Sequence, residues 1–149
     1  MKEMHYTDTL MYSIDKTLKN IKFNLNQYIL EAAKITAEQF AVLDTIYVNE
    51  NICQQDVAVI LSKDKSNIKR IVEILEKSGY ITRQTGRKNN RLVNYLNITK
   101  SGEELIENNI NDIRNYMKNF LGNITDEEVC CLEKIVLKLQ NVNQNSSLQ

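Results

Sequence analysis

The sequence predicts a mainly α-helical protein that contains one small β-hairpin. Apolar residues recur at every third or fourth position through most of the chain, which is the spacing of amphipathic helices. The exception lies between Tyr80 and Ile98, where residues that favour strands flank a polar loop. The chain has 149 residues, of which 42% are hydrophobic and 26% charged, so we expect residues 1–149 to form a single globular domain.

The periodicity predicts six helices, and residues that cap helices mark several of their ends. The predicted helices span about residues 6–29, 36–48, 54–61, 65–78, 100–121 and 125–141. Thr36 with Gln39, and Thr125 with Glu128, have the spacing of capping boxes, in which side chains satisfy free backbone amides. Gly79 is placed to end the fourth helix as a glycine cap. Residues 142–149 are polar and lack periodicity, so we expect a flexible tail there.

The stretch that follows the fourth helix predicts a β-hairpin with a basic tip. Tyr80–Thr85 and Leu92–Ile98 are the expected strands, because both are rich in β-branched and aromatic residues. Gly86–Arg91 is the expected loop, and three of its residues are basic.

Charge is distributed unevenly, although the chain as a whole is neutral. Residues 63–100 contain ten basic and three acidic residues, a local net charge of +7, whereas the rest of the chain has a net charge of −7. A basic stretch on an otherwise acidic protein is typical of a surface that contacts the phosphates of a nucleic acid.

The order of these elements predicts a winged helix-turn-helix over residues 35–100. In that arrangement the second helix of the pair enters the major groove of DNA, and the hairpin, or wing, follows the backbone. Amide and guanidinium groups on the fourth helix can hydrogen-bond base edges, and cations on the wing can contact phosphates. The residues expected to bind double-stranded DNA are Lys65, Ser66, Asn67, Lys69, Arg70, Arg87, Lys88 and Arg91.

Helices outside that region predict a homodimer. A winged helix-turn-helix does not need three additional amphipathic helices to cover its core, so their apolar stripes remain to be buried. Residues 5–30 and 101–141 are therefore the expected dimerisation helices. Two-fold symmetry would present two recognition helices to successive major-groove faces, about 10 bp apart.

The segment Ile35–Gly102 resembles the winged-helix region of the multiple antibiotic resistance regulator (MarR) family. Its most specific parts are the run LEKSGYI at residues 75–81 and the end of the wing from Arg91 to Thr99. The resemblance implies a homodimeric transcriptional repressor that binds a palindromic operator and releases it when a small-molecule effector or an oxidant acts. Where the family commonly has Asp before the wing arginine, this chain has Asn90, so a charged partner for Arg91 is missing.

The sequence disfavours several other classes of protein. His5 is the only histidine and there are four glycines, so neither Ser-His or Cys-His catalysis, nor a zinc cluster, nor a glycine-rich nucleotide loop is supported. We therefore expect no enzymatic activity, no metal and no cofactor. No apolar run approaches the roughly 20 residues of a membrane span, and the N-terminus lacks the apolar core of a signal peptide. These observations predict a cytoplasmic protein without membrane contacts.

The three cysteines leave one alternative open. Cys53 immediately precedes the third helix, where a thiol can become oxidisable, although a lone cysteine more often serves as a small buried apolar residue. We expect Cys130 and Cys131 to pack in the core or in an interface.

The main alternative function is a winged-helix module that binds other proteins without sequence-specific DNA binding. A gel shift against random duplexes at moderate salt distinguishes the two functions.

Overall fold

A computed structural model, which describes residues 5–145, confirms a mainly helical fold with one small antiparallel sheet. The helices are α1 (Leu10–Ala33), α2 (Ala37–Val48), α3 (Gln54–Ile60), α4 (Lys65–Lys77), α5 (Lys100–Asn119) and α6 (Asp126–Asn145), and a short 3₁₀ turn at Tyr6–Asp8 precedes them. The strands are β1 (Ile52–Cys53), β2 (Ile81–Lys88) and β3 (Arg91–Ile98). None of the described helices is long and apolar enough to cross a lipid bilayer.

Both predicted capping boxes form. The Thr36 hydroxyl accepts a hydrogen bond from the Gln39 amide at 3.2 Å, and the Gln39 side-chain oxygen accepts one from the Thr36 amide at 2.8 Å. Thr125 and Glu128 make the same reciprocal pair at the start of α6, at 3.3 and 2.9 Å. Local side-chain chemistry therefore fixes where these two helices begin.

Gly79 ends α4 as the sequence predicts. Its φ of 77° lies in the left-handed region, where a side chain would be strained. The amide of Tyr80 donates to the carbonyl of Leu75 at 3.0 Å, which is the long hydrogen bond of a Schellman cap. The chain is thereby turned from α4 directly into β2.

The sheet departs from the sequence prediction in two respects. The strands of the wing continue to Lys88 and begin again at Arg91, so the loop consists of Asn89 and Asn90 alone. In addition, β1 was not predicted; it pairs with β3 through Ile52↔Leu96 and Cys53↔Tyr95, which gives the strand order β1-β3-β2.

Two helices are longer than predicted. α1 continues to Ala33, whose side chain is buried together with that of Ile29. α6 continues to Asn145, beyond the predicted end at residue 141. Residues 146–149 of the predicted tail lie outside the described part of the chain.

The buried core lies in the first of two compact units, whose boundary falls between Ile113 and Arg114. Side chains from α1, α2, α3, α4, the sheet and the first part of α5 form this core. Its largest fully buried members include Leu43, Ile46, Ile68, Leu75, Ile81, Leu96 and Ile106. The second unit contains the end of α5 and all of the described part of α6.

The start of α5 is packed tightly against the end of α4. Thr99 donates from its amide to the Tyr80 carbonyl at 3.0 Å and from its hydroxyl to the Gly79 carbonyl at 2.6 Å. A Cβ on the neighbouring Gly102 would lie 2.3 Å from the carbonyl oxygen of Tyr80 and 2.7 Å from Cγ1 of Ile98. Only glycine fits here, because backbone occupies the space that a side chain needs.

We expect Gly102→Ala to destabilise the protein by about 1–3 kcal/mol, since the added methyl group forces the backbone apart. This is the opposite of the gain of about 1 kcal/mol that alanine normally brings to a helix. Urea unfolding of Gly102→Ala and of Ser101→Ala, an exposed neighbour in the same turn, measures the effect. Equal stability of the two variants would contradict this packing.

Candidate nucleic-acid interface

The sequence of α4 gives it one buried side and one polar side. Asp64 caps the helix by accepting a hydrogen bond from the Asn67 amide at 2.8 Å. Ile68, Ile71, Val72 and Leu75 are buried, and their spacing of three and four residues places them on one side. The predicted DNA contacts Lys65, Ser66, Lys69 and Arg70 are all exposed. The capped helix therefore presents hydrogen-bonding and basic groups near its first two turns.

Asn67 differs from these four residues because it is half-buried. Its side-chain oxygen is shielded from solvent and has no hydrogen-bond partner among the described residues. The pKa of Glu38, near the start of α2, is lowered chiefly by its hydrogen bond from Lys63, with smaller contributions from the Asn67 side chain and the Arg70 charge. Because its side chain is half-buried, Asn67 is less accessible to a base than the four exposed candidates.

The wing is a regular hairpin that ends in a two-residue turn. Asn89 and Asn90 have φ angles of 50° and 62°, and both central positions of a type I′ turn require positive values. Asparagine tolerates this conformation better than most residues, so the turn accounts for the Asn90 that replaces the Asp common in the family. The structure contains no ion pair to Arg91 from residues 5–141, in agreement with the loss of that carboxylate.

The three basic candidates on the wing are exposed, but they do not have the same surroundings. Arg87 lies opposite Leu92, and Lys88 lies opposite Arg91 at the turn. Lys88 donates to the Asp56 carboxylate of α3 at 2.6 Å. It is the one basic candidate with an ion pair in the described structure; the other five are Lys65, Lys69, Arg70, Arg87 and Arg91.

Two carboxylates that neighbour this surface were not predicted from the sequence. Asp56 pairs with Lys88, and Glu38 pairs with Lys63. The partners are separated by 32 and 25 residues in the chain, so no local spacing rule connects them. The basic character of residues 63–100 gave no sign that acidic groups from α2 and α3 approach it.

The cysteines take no part in this surface. Cys53 caps α3 without a side-chain hydrogen bond and is 2% exposed, which favours the small buried apolar role. Cys130 and Cys131 are exposed on α6, so they do not pack in the core of the single chain, and the interface that was expected as the alternative stays a prediction.

A cleft lies beside α4 and is open to solvent. It has a volume of about 560 Å³ and is lined from α1, α2 and the segment from α3 to α4. Ile68 and Ile71 of α4 form part of its apolar lining, while Lys22, Glu38 and Lys63 supply polar groups. The cleft thus includes both members of the Glu38–Lys63 pair, of which Lys63 lies two residues before the start of α4.

Comparisons with known proteins agree with this architecture. Residues 35–93 match the model of the MarR family. PrsX, an HTH-type transcriptional regulator of Escherichia coli, is 28% identical over 132 residues, which cover 87% of this chain and 78% of PrsX. YdgJ of Bacillus subtilis, an uncharacterized HTH-type transcriptional regulator, is 25% identical over 107 residues and 72% of this chain. The chain spans about 65% of the length of YdgJ in that match.

Among solved structures, the S. aureus MepR–DNA complex has a TM-score of 0.81 and 21% sequence identity to this chain. The match covers 90% of this chain and 98% of the MepR chain. At 21% sequence identity, this match shows that the two proteins share a fold and shows nothing about shared function.

A helix-turn-helix followed by a basic two-stranded hairpin defines a winged helix-turn-helix protein. Residues 35–93 of this chain match the MarR family model, and relatives named HTH-type transcriptional regulators and the shared fold agree with that match. The predicted resemblance is therefore confirmed. MarR family regulators are DNA-binding proteins without enzymatic activity, which agrees with the prediction that the protein is not an enzyme.

The Glu38–Lys63 pair generates a pH-dependent prediction. A carboxyl whose pKa is lower in the folded than in the unfolded state stabilises the fold above its ordinary pKa, 4.5 for Glu38, and this contribution is lost as the pH falls through the folded value. Both side chains are more than a third exposed, so we expect Glu38→Gln to cost at most about 1 kcal/mol at pH 7.

Urea unfolding at about pH 7 and at about pH 3 measures this cost, which should disappear at the lower pH. Glu31→Gln is the control, because Glu31 is an exposed carboxylate of α1 without an ion pair in the described residues. A cost that is the same at both pH values would show that the charge of Glu38 contributes nothing.

Proposed function

We propose that this protein is a cytoplasmic transcriptional regulator that binds double-stranded DNA through α4 and the wing. The observation that carries the proposal is that exposed basic groups lie on the outward side of α4 and on the hairpin of one winged helix-turn-helix. The DNA complex of MepR, a protein of the same fold, supports it.

The helix and the wing have different tasks in this proposal. Arg70 and Lys69, with Lys65 and Ser66, read base edges in the major groove, where a good bidentate contact is worth about 1–3 kcal/mol of discrimination. Arg87 and Arg91 contact the phosphate backbone or the minor groove beside it, and these contacts set position more than sequence preference.

We expect Arg70→Ala and Arg87→Ala to impair DNA binding in different ways. Arg70→Ala should cost about 1–3 kcal/mol on the preferred duplex and relax its sequence preference. Arg87→Ala should weaken binding to all duplexes alike and flatten the plot of log affinity against log salt by about 0.9, the loss of one phosphate contact.

The measurement is a salt titration on a duplex selected from a random pool and on a scrambled duplex. Lys77→Ala, an exposed cation at the end of α4, is the control for loss of charge alone. If Arg87→Ala changed sequence preference and Arg70→Ala did not, the two tasks would be reversed. If neither differed from the control, the basic surface would be a solvated face and the proposed function would be wrong.

We further propose that the protein acts as a homodimer on a palindromic operator. Between residues 114 and 141, most of the second unit's apolar side chains are exposed in the single chain, among them Met117, Leu121, Leu132, Ile135, Val136, Leu137 and Leu139. Several of them line an apolar groove of about 470 Å³ between Leu121 and Gln140. An apolar surface of this kind marks an interface, and a second copy of the chain supplies a matching one.

We expect Leu132→Gln with Val136→Gln to shift the protein from dimer to monomer, because the pair lies one helical turn apart on the exposed apolar stripe. Lys134→Gln with Lys138→Gln introduces the same residues at the same spacing on exposed polar positions and should leave the dimer intact. Analytical ultracentrifugation at micromolar concentration measures the fraction of dimer in the wild type and in both double variants. A monomeric wild type, or equal loss of dimer in both double variants, would contradict the proposal.

Repression with release by an effector completes the proposed function. The cleft beside α4 has a volume within the range of about 300–1,000 Å³ that small-molecule sites occupy. A ligand in this cleft would contact Ile68 and Ile71 from behind the helix that reads DNA. Screening small molecules for release of the selected duplex tests this, with chemical shifts at Ala41 and Ile71 as the sign of binding in the cleft.

A further inference from the structure

The ion pair between α3 and the wing separates Lys88 from the other basic residues of the surface. The ammonium of Lys88 lies 2.6 Å from Oδ2 of Asp56, and both side chains are 45% exposed. Asp56 raises the pKa of Lys88 above its ordinary value of 10.5, chiefly through this hydrogen bond and also through its charge. The pair lies in a hollow that is also lined by Gln55, Asn89 and Arg91.

The register of the hairpin explains why a carboxylate beside Lys88 stabilises the wing. Lys88 and Arg91 are direct partners across the last step of the ladder. Like charges directly opposite each other destabilise a pair of strands. Asp56 neutralises one member of the pair and directs it toward α3. Among the described residues, Arg91 is then the member of this pair without an ion pair.

We propose that Asp56 is a positioning residue of the DNA-binding surface that holds Lys88 against α3 and keeps it out of contact with phosphate. The inference rests on the proposed function and gives Lys88, which the sequence predicted to be a DNA contact, a different role. A carboxylate and a phosphate compete for the same three ammonium donors. In the wild type Lys88 therefore stabilises the wing and contributes nothing to counterion release.

This proposal predicts that removing the negative charge of Asp56 strengthens DNA binding by releasing Lys88. Asp56→Asn should free Lys88 for a phosphate, so that binding to any duplex becomes about two- to fivefold tighter, the equivalent of one exposed ion pair. The plot of log affinity against log salt should become steeper by about 0.9. Lys88→Ala should leave this slope unchanged in the wild type and should flatten it by about 0.9 in the Asp56→Asn background.

The experiment is a double-mutant cycle of Asp56→Asn and Lys88→Ala in the full chain, read as salt slopes on one duplex of fixed sequence. Asp15→Asn is the matched control, because Asp15 forms an exposed pair with Lys19 at the same distance of 2.6 Å but lies on α1, outside the helix-turn-helix and the wing. We expect the control to change neither the affinity nor the slope beyond the small effect of net charge.

Two results would overturn the inference. One is an equal loss of slope when Lys88 is replaced in either background, which would show that Lys88 leaves Asp56 for phosphate in the wild-type complex. The other is weaker or unchanged binding by Asp56→Asn. A measurement on the free protein gives an independent test: the Lys88 amine pKa, followed by NMR, should fall toward its ordinary value in Asp56→Asn. A wild type that binds no duplex would instead refute the proposed function.

Discussion

The burial of one side of α4 is the constraint on which the candidate interface depends. Ile68, Ile71, Val72 and Leu75 fill the space against α2, α3 and β2, and their burial leaves the helix no freedom to rotate. A rotation that hid Lys69 or Arg70 would expose this apolar set to water at a cost of about 25 cal/mol per Å². The polar side of α4 is therefore held outward by the core.

Ion pairs with carboxylates then determine which of the outward-facing basic side chains are free to contact phosphate. Lys63, Arg83 and Lys88 are paired with Glu38, Glu76 and Asp56, so three of the ten basic residues between positions 63 and 100 have intramolecular partners. The local net charge of the sequence segment thus overstates the charge that a phosphate meets. The basic residues without an ion pair in the described structure lie chiefly on α4 and at Arg87 and Arg91. Their number is a better measure of the positive charge on this surface than the net charge of the segment.

The sequence predicted those features that depend on neighbouring residues. The capping boxes at Thr36 and Thr125, the glycine cap at Gly79 and the amphipathic face of α4 each follow from residues within one or two turns. By contrast, β1 has two residues and exists only because β3 lies beside it, so no periodicity can indicate it. The half-burial of Asn67 likewise depends on how α2 packs, and the basic loop gave no sign that Lys88 would find its partner in α3.

The same two-residue strand has a consequence for how binding can be controlled. β1 hydrogen-bonds to β3 and leads directly into α3, so the helix-turn-helix and the wing share one continuous ladder and cannot shift against each other without breaking it. In the proposed function, each reading surface is therefore a rigid body with a fixed preference for its half of an operator. In the proposed dimer, the quantity that can change at low cost is the separation of two such bodies. Control of this kind would select among spacings of half-sites, while the sequence read within each half-site stays the same.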